Sequence, residues 1–185
     1  MPSDWHFRTL GESTEMSAGG DKPKILSSIQ TEKCTYPVYS NGLSDEGLYG
    51  YTDAPKIKDE SVTVSARGTI GFVCLRHIPY VPIVRLVTLI PLRKLMSAKY
   101  LYLYLKQCDI SGTGTTQQQL TVPDFRKTEI LIPSKDVMDQ FTKTVTPLFD
   151  TIWSNQEQNR KLASLRDILL PKLMSGELNV SDIQL

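Results

Sequence analysis

The sequence predicts an α+β fold, a globular domain of mixed strands followed by one long coiled-coil-like helix, on three observations. Up to about residue 133, short runs rich in Val, Ile and Thr alternate with turn residues. A single stretch inside this region carries apolar residues at helical spacing. After Pro133 the pattern changes to an alternating three-and-four apolar repeat, with no further glycine until Gly176.

The strand-like runs fall at 61–66, 69–75, 86–90 and 129–132. The helix expected between them covers 92 to about 107, because Leu92, Leu95, Met96, Tyr100, Leu103 and Tyr104 share one helical face. Beyond Pro133, Met138, Phe141, Val145, Leu148 and Ile152 form the start of a seam, which meets Asn155 and Asn159 and resumes at Leu162, Leu165, Leu169 and Leu173. Ser134 is placed to cap this helix, Asp136 to favour its first turn and Gly176 to close it. Pro147 inside it predicts a kink or a break. The expected division is therefore a domain at 1–133, a helix at 134–176 and a tail at 177–185. The stripe can pack on the chain's own domain, but roughly forty residues make a rod of about 60 Å, longer than a small domain, which favours a partner helix.

Length and composition agree with a folded globular chain: 185 residues, 40% apolar and 22% charged. Net charge is only +1, with 15 basic and 13 acidic residues up to 133 and 6 and 7 thereafter, so a polyanion-binding surface has to be a local patch. Cys34, Cys74 and Cys108 are odd in number and lack metal or redox spacing, which fits a reducing cytoplasm. Arg85, Pro79, Pro82 and Pro91 interrupt the most apolar stretch, which excludes it as a membrane helix, and no apolar export segment opens the chain.

Phosphate-loop, paired-carboxylate nuclease and nucleophile-elbow motifs are absent from the sequence, and neither His6 nor His77 has metal-ligand spacing around it. No cofactor and no metal are expected. Three functional classes stay open on the residues alone: a DNA-binding module, a cofactor-free enzyme using Cys74 and His77, and a coiled-coil assembly protein without a DNA role. Residues three apart on a strand point to opposite faces, which weighs against the Cys74 and His77 pair.

The order of segments resembles the specificity subunits of type I restriction-modification systems. The similarity runs from Pro2-Ser3-Asp4-Trp5, Thr9-Leu10-Gly11-Glu12 and Gly19-Gly20, through Tyr36-Pro37-Val38-Tyr39 and the segment at 47–52, to Val64-Ser65-Ala66-Arg67-Gly68-Thr69-Ile70-Gly71. It continues with Ser111-Gly112-Thr113-Gly114-Thr115-Thr116-Gln117, Leu120, Phe125 and Ile130-Leu131-Ile132-Pro133, and ends on the run from Leu165 to Leu178. A full specificity subunit resembles two such units in tandem, whereas one is present here.

The resemblance implies a non-catalytic target-recognition domain for double-stranded DNA. It implies that methyl transfer to adenine belongs to partner modification subunits using S-adenosylmethionine, and cleavage to an ATP-driven restriction subunit. With one unit, the long helix is expected to pair in a homodimer through Phe141, Val145, Leu148, Ile152, Leu162, Leu165, Leu169 and Leu173.

Candidate DNA contacts follow from side-chain chemistry. Arg67, followed by Gly68, Thr69 and Gly71, suits a tight turn that brings a guanidinium to a guanine edge; the alternative is a purely structural turn. Thr115, Thr116, Gln117 and Gln118 offer hydroxyls and amides for phosphates and adenine. Tyr39, Ser40, Asn41 and Tyr51 are further candidates, and Lys56 and Arg76, with Lys22, Lys24 and Lys58, are candidate phosphate contacts.

Overall fold

The computed structural model describes residue 2 and residues 4–110 and 119–178. By packing, the chain divides into a unit at 1–142 and a unit at 143–185. The predicted contacts Thr115, Thr116, Gln117 and Gln118 lie outside the described residues.

The first unit runs β1 (His6–Thr9), α1 (Leu10–Ser13), β2 (Thr14–Ala18), β3 (Tyr36–Tyr39), a 3-10 turn (Ser44–Gly47), β4 (Leu48–Thr52), β5 (Ser61–Val64), β6 (Val73–Arg76), β7 (Val81–Pro82), β8 (Val87–Pro91), α2 (Ala98–Gln107), α3 (Val122–Phe125) and β9 (Glu129–Ile132). Helix α4 (Lys135–Met174) then continues into the second unit. The strands form three sheets, β1-β9, β2-β8-β5-β6 and β4-β3-β7, antiparallel except for the β3-β7 pair.

The central four-stranded sheet is buried on both faces along β5 and β6, and the two faces differ in chemistry. Val62, Val64 and Leu89 are apolar, and α2, with Leu101 and Leu105 fully buried, packs against β5, β6 and β8. The alternate residues Ser61, Thr63 and Thr88 are buried and polar. Tyr80 satisfies part of this polar layer, its hydroxyl lying 3.0 Å from the Ser61 hydroxyl and donating to Thr88 at 3.4 Å. Tyr80 in turn meets the Tyr39 ring edge-on at 5.7 Å, so side chains of the β4-β3-β7 sheet and its approach are tied to the polar face. A buried polar layer of this kind is stable only when its groups are bonded.

The expected helix at 92–107 begins six residues later, at Ala98. Ser97 stops it from starting earlier: its side chain accepts from the Tyr100 N–H, and 92–96 form a separate turn closed by Leu95 N–H and Met96 N–H on the Leu92 carbonyl. The apolar spacing extended through that turn because Met96 is also buried. The strand expected at 69–75 is similarly displaced to Val73–Arg76, since Gly68 and Gly71 both take left-handed conformations and turn the chain first.

Helix α4 starts as the sequence predicts, with Asp136 in its first turn, and the chain leaves it through Gly176 at φ +74°. Of the kink or break expected at Pro147, the break does not occur, and the helix passes continuously through both Pro147 and Pro171. A proline removes one donor, and in a helix of 40 residues the hydrogen bonds on either side hold the run together. Near its start Met138 is buried, and Phe141 meets Tyr100 edge-on at 5.5 Å. In the second unit, by contrast, Leu148, Ile152, Leu162, Leu165, Leu169 and Leu173 are all exposed, and Val145 is half-buried.

Candidate nucleic-acid interface

Three turns of the first unit are joined by one side chain, that of Asn41. Its amide oxygen accepts from the Ala66 N–H at 2.8 Å and its amide nitrogen donates to the Val84 carbonyl at 2.6 Å. Asn41 itself lies in the loop between β3 and β4. The amide thus fastens the 65–71 turn and the 83–86 turn to the 40–47 loop. Asn41, a candidate DNA contact, thus has each end of its amide bonded to a backbone group.

The 65–71 turn places Arg67, Gly68 and Thr69 in solvent at its tip. It is closed by Gly71 N–H to the Ser65 carbonyl and Ser65 N–H to the Phe72 carbonyl, both 3.0 Å. Gly71 is at φ +80°, and a side chain there would begin 2.7 Å from the Ile110 carbonyl oxygen, so only glycine fits. The Arg67 guanidinium donates to the Gln119 side-chain oxygen at 3.4 Å, a long bond that uses one of its five donors.

The 40–47 loop is held differently. Asp45 and Glu46 both have positive φ, 47° and 55°, followed by Gly47 at 84°. Arg76 anchors this left-handed run, donating to the Glu46 carbonyl at 2.6 Å and to its carboxylate at 3.2 Å. The same guanidinium donates to the Thr63 hydroxyl at 3.0 Å and lies 3.6 Å from the centre of the Tyr39 ring. Arg76 is only 3% exposed. Its expected role as a phosphate contact is therefore corrected to that of a buried tie between β6 and the loop. Tyr39 is the platform beneath it, half-buried and flanked by Arg76 and Tyr80.

The 83–86 turn was missed in the sequence. Val84 and Arg85 have φ 52° and 61°, a left-handed pair without glycine, and both are exposed. Such conformations cost on the order of 1–2 kcal/mol per residue, and Val, being branched, is among the least suited to them. The pair is over-determined from below: Val84 N–H and Arg85 N–H donate to the Gly20 and Gly19 carbonyls, both at 2.9 Å, and Gly19 N–H to the Leu86 carbonyl at 2.8 Å. Gly19 has to be glycine, because a side chain there would begin 2.8 Å from the Ile83 backbone. The sequence Ile-Val-Arg-Leu carries none of the Gly, Asn or Asp signals of such a turn, so no reading of composition could have found it.

Of the remaining candidates, Ser40 is half-buried, and its N–H donates to the Gly47 carbonyl. Tyr51 is half-buried on β4, its backbone paired with Ser27. Lys56 is exposed, its ammonium 3.8 Å from where a side chain on Gly20 would begin, beside the segment that supports Val84 and Arg85. Lys22 is engaged by Tyr49 through both hydroxyl and ring. Arg67, Gly68, Thr69 and Lys56 thus lie on exposed segments, whereas Asn41 fastens the 65–71 turn and Arg76 the 40–47 loop.

The Cys74 and His77 pair does not form a reactive site. Cys74 lies buried on β6, and burial pushes its thiol up to about 11, the reverse of what an activated nucleophile needs. His77 is exposed beyond the end of the strand. No helix among the described residues is long and apolar enough to cross a membrane.

The first unit thus presents exposed arginines on turns fastened by hydrogen bonds to the sheets, and the second carries a long helix with an exposed apolar stripe. Residues 2–164 match the family described as type I restriction modification DNA specificity domain, and the chain belongs to that family. Among relatives, it is 30% identical over 178 residues to the type I restriction enzyme HindI specificity subunit of Haemophilus influenzae, covering 92% of this chain and 38% of that protein. It is 36% identical over 95 residues to the MjaIX specificity subunit of Methanocaldococcus jannaschii, covering 48% of this chain and 22% of that protein. The fold is similar to that of the type I restriction-modification system S subunit from M. genitalium, with TM-score 0.71 at 23% identity over 92% of this chain and 46% of that one. The chain therefore spans less than half the length of these relatives.

Proposed function

We propose that this chain recognises a DNA sequence and leaves chemistry to its partners. The observation that carries the reading is the 65–71 turn: an exposed arginine at the tip of a loop whose base is fixed by Gly71 and by the Asn41 amide. Arginine on a rigid support can present paired donors to the O6 and N7 of guanine in the major groove. A fixed loop backbone matters because a mobile loop loses conformational entropy on binding, whereas a held one has lost much of it already. Family membership supports the same reading.

In this role the chain reads one half of an interrupted target for modification subunits that transfer the methyl group and a restriction subunit that cleaves, in the cytoplasm where that DNA lies. The exposed stripe of α4 supports pairing of two copies through Leu148, Ile152, Leu162, Leu165, Leu169 and Leu173. Burying each leucine or isoleucine contributes about 1.5–3 kcal/mol, and closed twofold pairing is the simplest way for one repeated stripe to cover itself. An antiparallel pair would set two recognition domains at opposite ends, each on one half of the target.

The test is a mobility-shift titration of the purified chain on duplex DNA over a range of salt, with and without a modification subunit. Retention that falls steeply with salt and survives competition by unrelated duplex supports the reading. Absence of any retarded species in both arms contradicts it.

A further inference from the structure

We infer that the strained turn bearing Val84 and Arg85 is a second base-contacting element, set in register with the Arg67 turn by the Asn41 amide; this rests on the DNA-recognition reading above. Four observations converge. Arg85 is an exposed arginine in a left-handed conformation that an arginine has no intrinsic reason to adopt. Strain of this kind persists where the surrounding structure enforces it, and two hydrogen bonds to Gly19 and Gly20 enforce it here. The turn is joined to the Arg67 turn through a single amide, so the backbones of Ala66 and Val84 are separated by no more than that amide and its two hydrogen bonds. Finally, Val84, the preceding residue, carries an exposed apolar side chain on the same turn.

That combination suits the major groove better than the phosphate backbone. A phosphate contact needs only a flexible cation, which lysine on a relaxed loop supplies. Base reading needs a planar fork held at a fixed angle, and an apolar neighbour is useful there because thymine presents a methyl group on the same groove face. Lys56, beside Gly20, remains for the adjacent phosphate. Two readers fixed to one amide would address neighbouring base pairs as a unit, and Asn41 would act as a positioning residue for both.

The experiment selects duplexes from a randomised pool with the wild-type chain, then measures affinity of Arg85→Ala, Arg85→Lys, Arg85→Gly and Arg67→Ala for the selected duplex and for versions changed at one base pair. Arg85→Ala is expected to lose about 10- to 100-fold on the selected duplex and to lose discrimination at one or two positions. Those positions should differ from the ones Arg67→Ala relaxes, and Arg85→Lys should not restore them. Melting provides the second readout: Arg85→Gly should melt at or above the wild type, because glycine adopts this φ without strain, while losing the same discrimination.

A uniform loss on every duplex with a shallower salt dependence would make Arg85 a phosphate contact and overturn the inference. So would unchanged binding by all three Arg85 variants while Arg67→Ala still relaxes a position, an outcome that leaves the recognition function standing. A wild-type chain that enriches no sequence would remove that function and this inference together.

Discussion

The Arg76 guanidinium lies 3.6 Å from the centre of the Tyr39 ring while bonding Thr63 and both the carbonyl and the carboxylate of Glu46. One cation thus serves as packing, as hydrogen-bond donor to a buried hydroxyl and as the clamp on a left-handed loop. Its neighbour in the ion pair is unlike it, since the Glu46 side chain is 56% exposed and the Arg76 side chain 3%. The two halves of the pair should therefore respond unequally to removal. Arg76→Ala opens a cavity and strands two acceptors, and should cost about 2–4 kcal/mol. Glu46→Ala should cost about 0–1 kcal/mol, as for other exposed partners. Denaturant unfolding of the two variants checks this, and equal losses would show that the carboxylate, not the carbonyl and the ring, holds the guanidinium.

Among the described residues Arg67 makes no short bond, and it should behave as a binding residue. Arg67→Ala is expected to weaken binding to the preferred duplex by about 1–3 kcal/mol with an unchanged melting temperature. Lower melting with unaltered DNA affinity would return Arg67 to a structural role.

The division of labour around these two arginines also shows how far the sequence was legible. The mixed strands and the long helix were readable because their signals are local: β-branched runs between turn residues, and an apolar repeat sustained over forty residues. Gly68 and Gly71 announced their turn, and their left-handed φ values are what the residue type implies. Arg76 and Asn41 read as candidate DNA contacts because both chemistries suit DNA. Nothing local revealed that Arg76 would meet Glu46, thirty residues away, or that Asn41 would meet Val84, forty-three residues away. The Val84 and Arg85 turn was illegible for a related reason, since its conformation is imposed by Gly19 and Gly20 from across the fold and not by its own residues.

For the second unit, the prediction concerns assembly. The purified chain should sediment as a dimer, and a Leu165→Asp, Leu169→Asp variant as a monomer with an unchanged first-unit fold. These two residues are 52% and 42% exposed in the single chain, so the aspartates harm nothing that the chain itself packs there. A wild type that stays monomeric at high micromolar concentration contradicts the pairing, and a dimer indifferent to the double variant moves the contact elsewhere.

Thiol chemistry gives an independent check of the β-sheet core. Burial raises the Cys74 thiol to about 11 and also raises that of Cys108, which is less buried. At pH 8 a thiol reagent should modify Cys108 first and Cys74 only on unfolding. The linked effect on stability has a definite sign. Between the ordinary thiol value of 9.0 and about 11, the unfolded chain releases the Cys74 proton while the folded chain keeps it. Stability should therefore fall as pH rises through that window, and replacing Cys74 with Ala should lessen the fall. Rapid labelling of Cys74 in the native protein would show that β6 is open to solvent.

Whether this chain distinguishes one DNA sequence from another is measured directly by the ratio of its affinities for a duplex enriched from a randomised pool and for a scrambled duplex of the same length and composition, at physiological salt. Sequence recognition predicts a ratio on the order of 10³, as for specific over non-specific binding by recognition proteins. A ratio near one, with both duplexes held equally and released equally by salt, would contradict it.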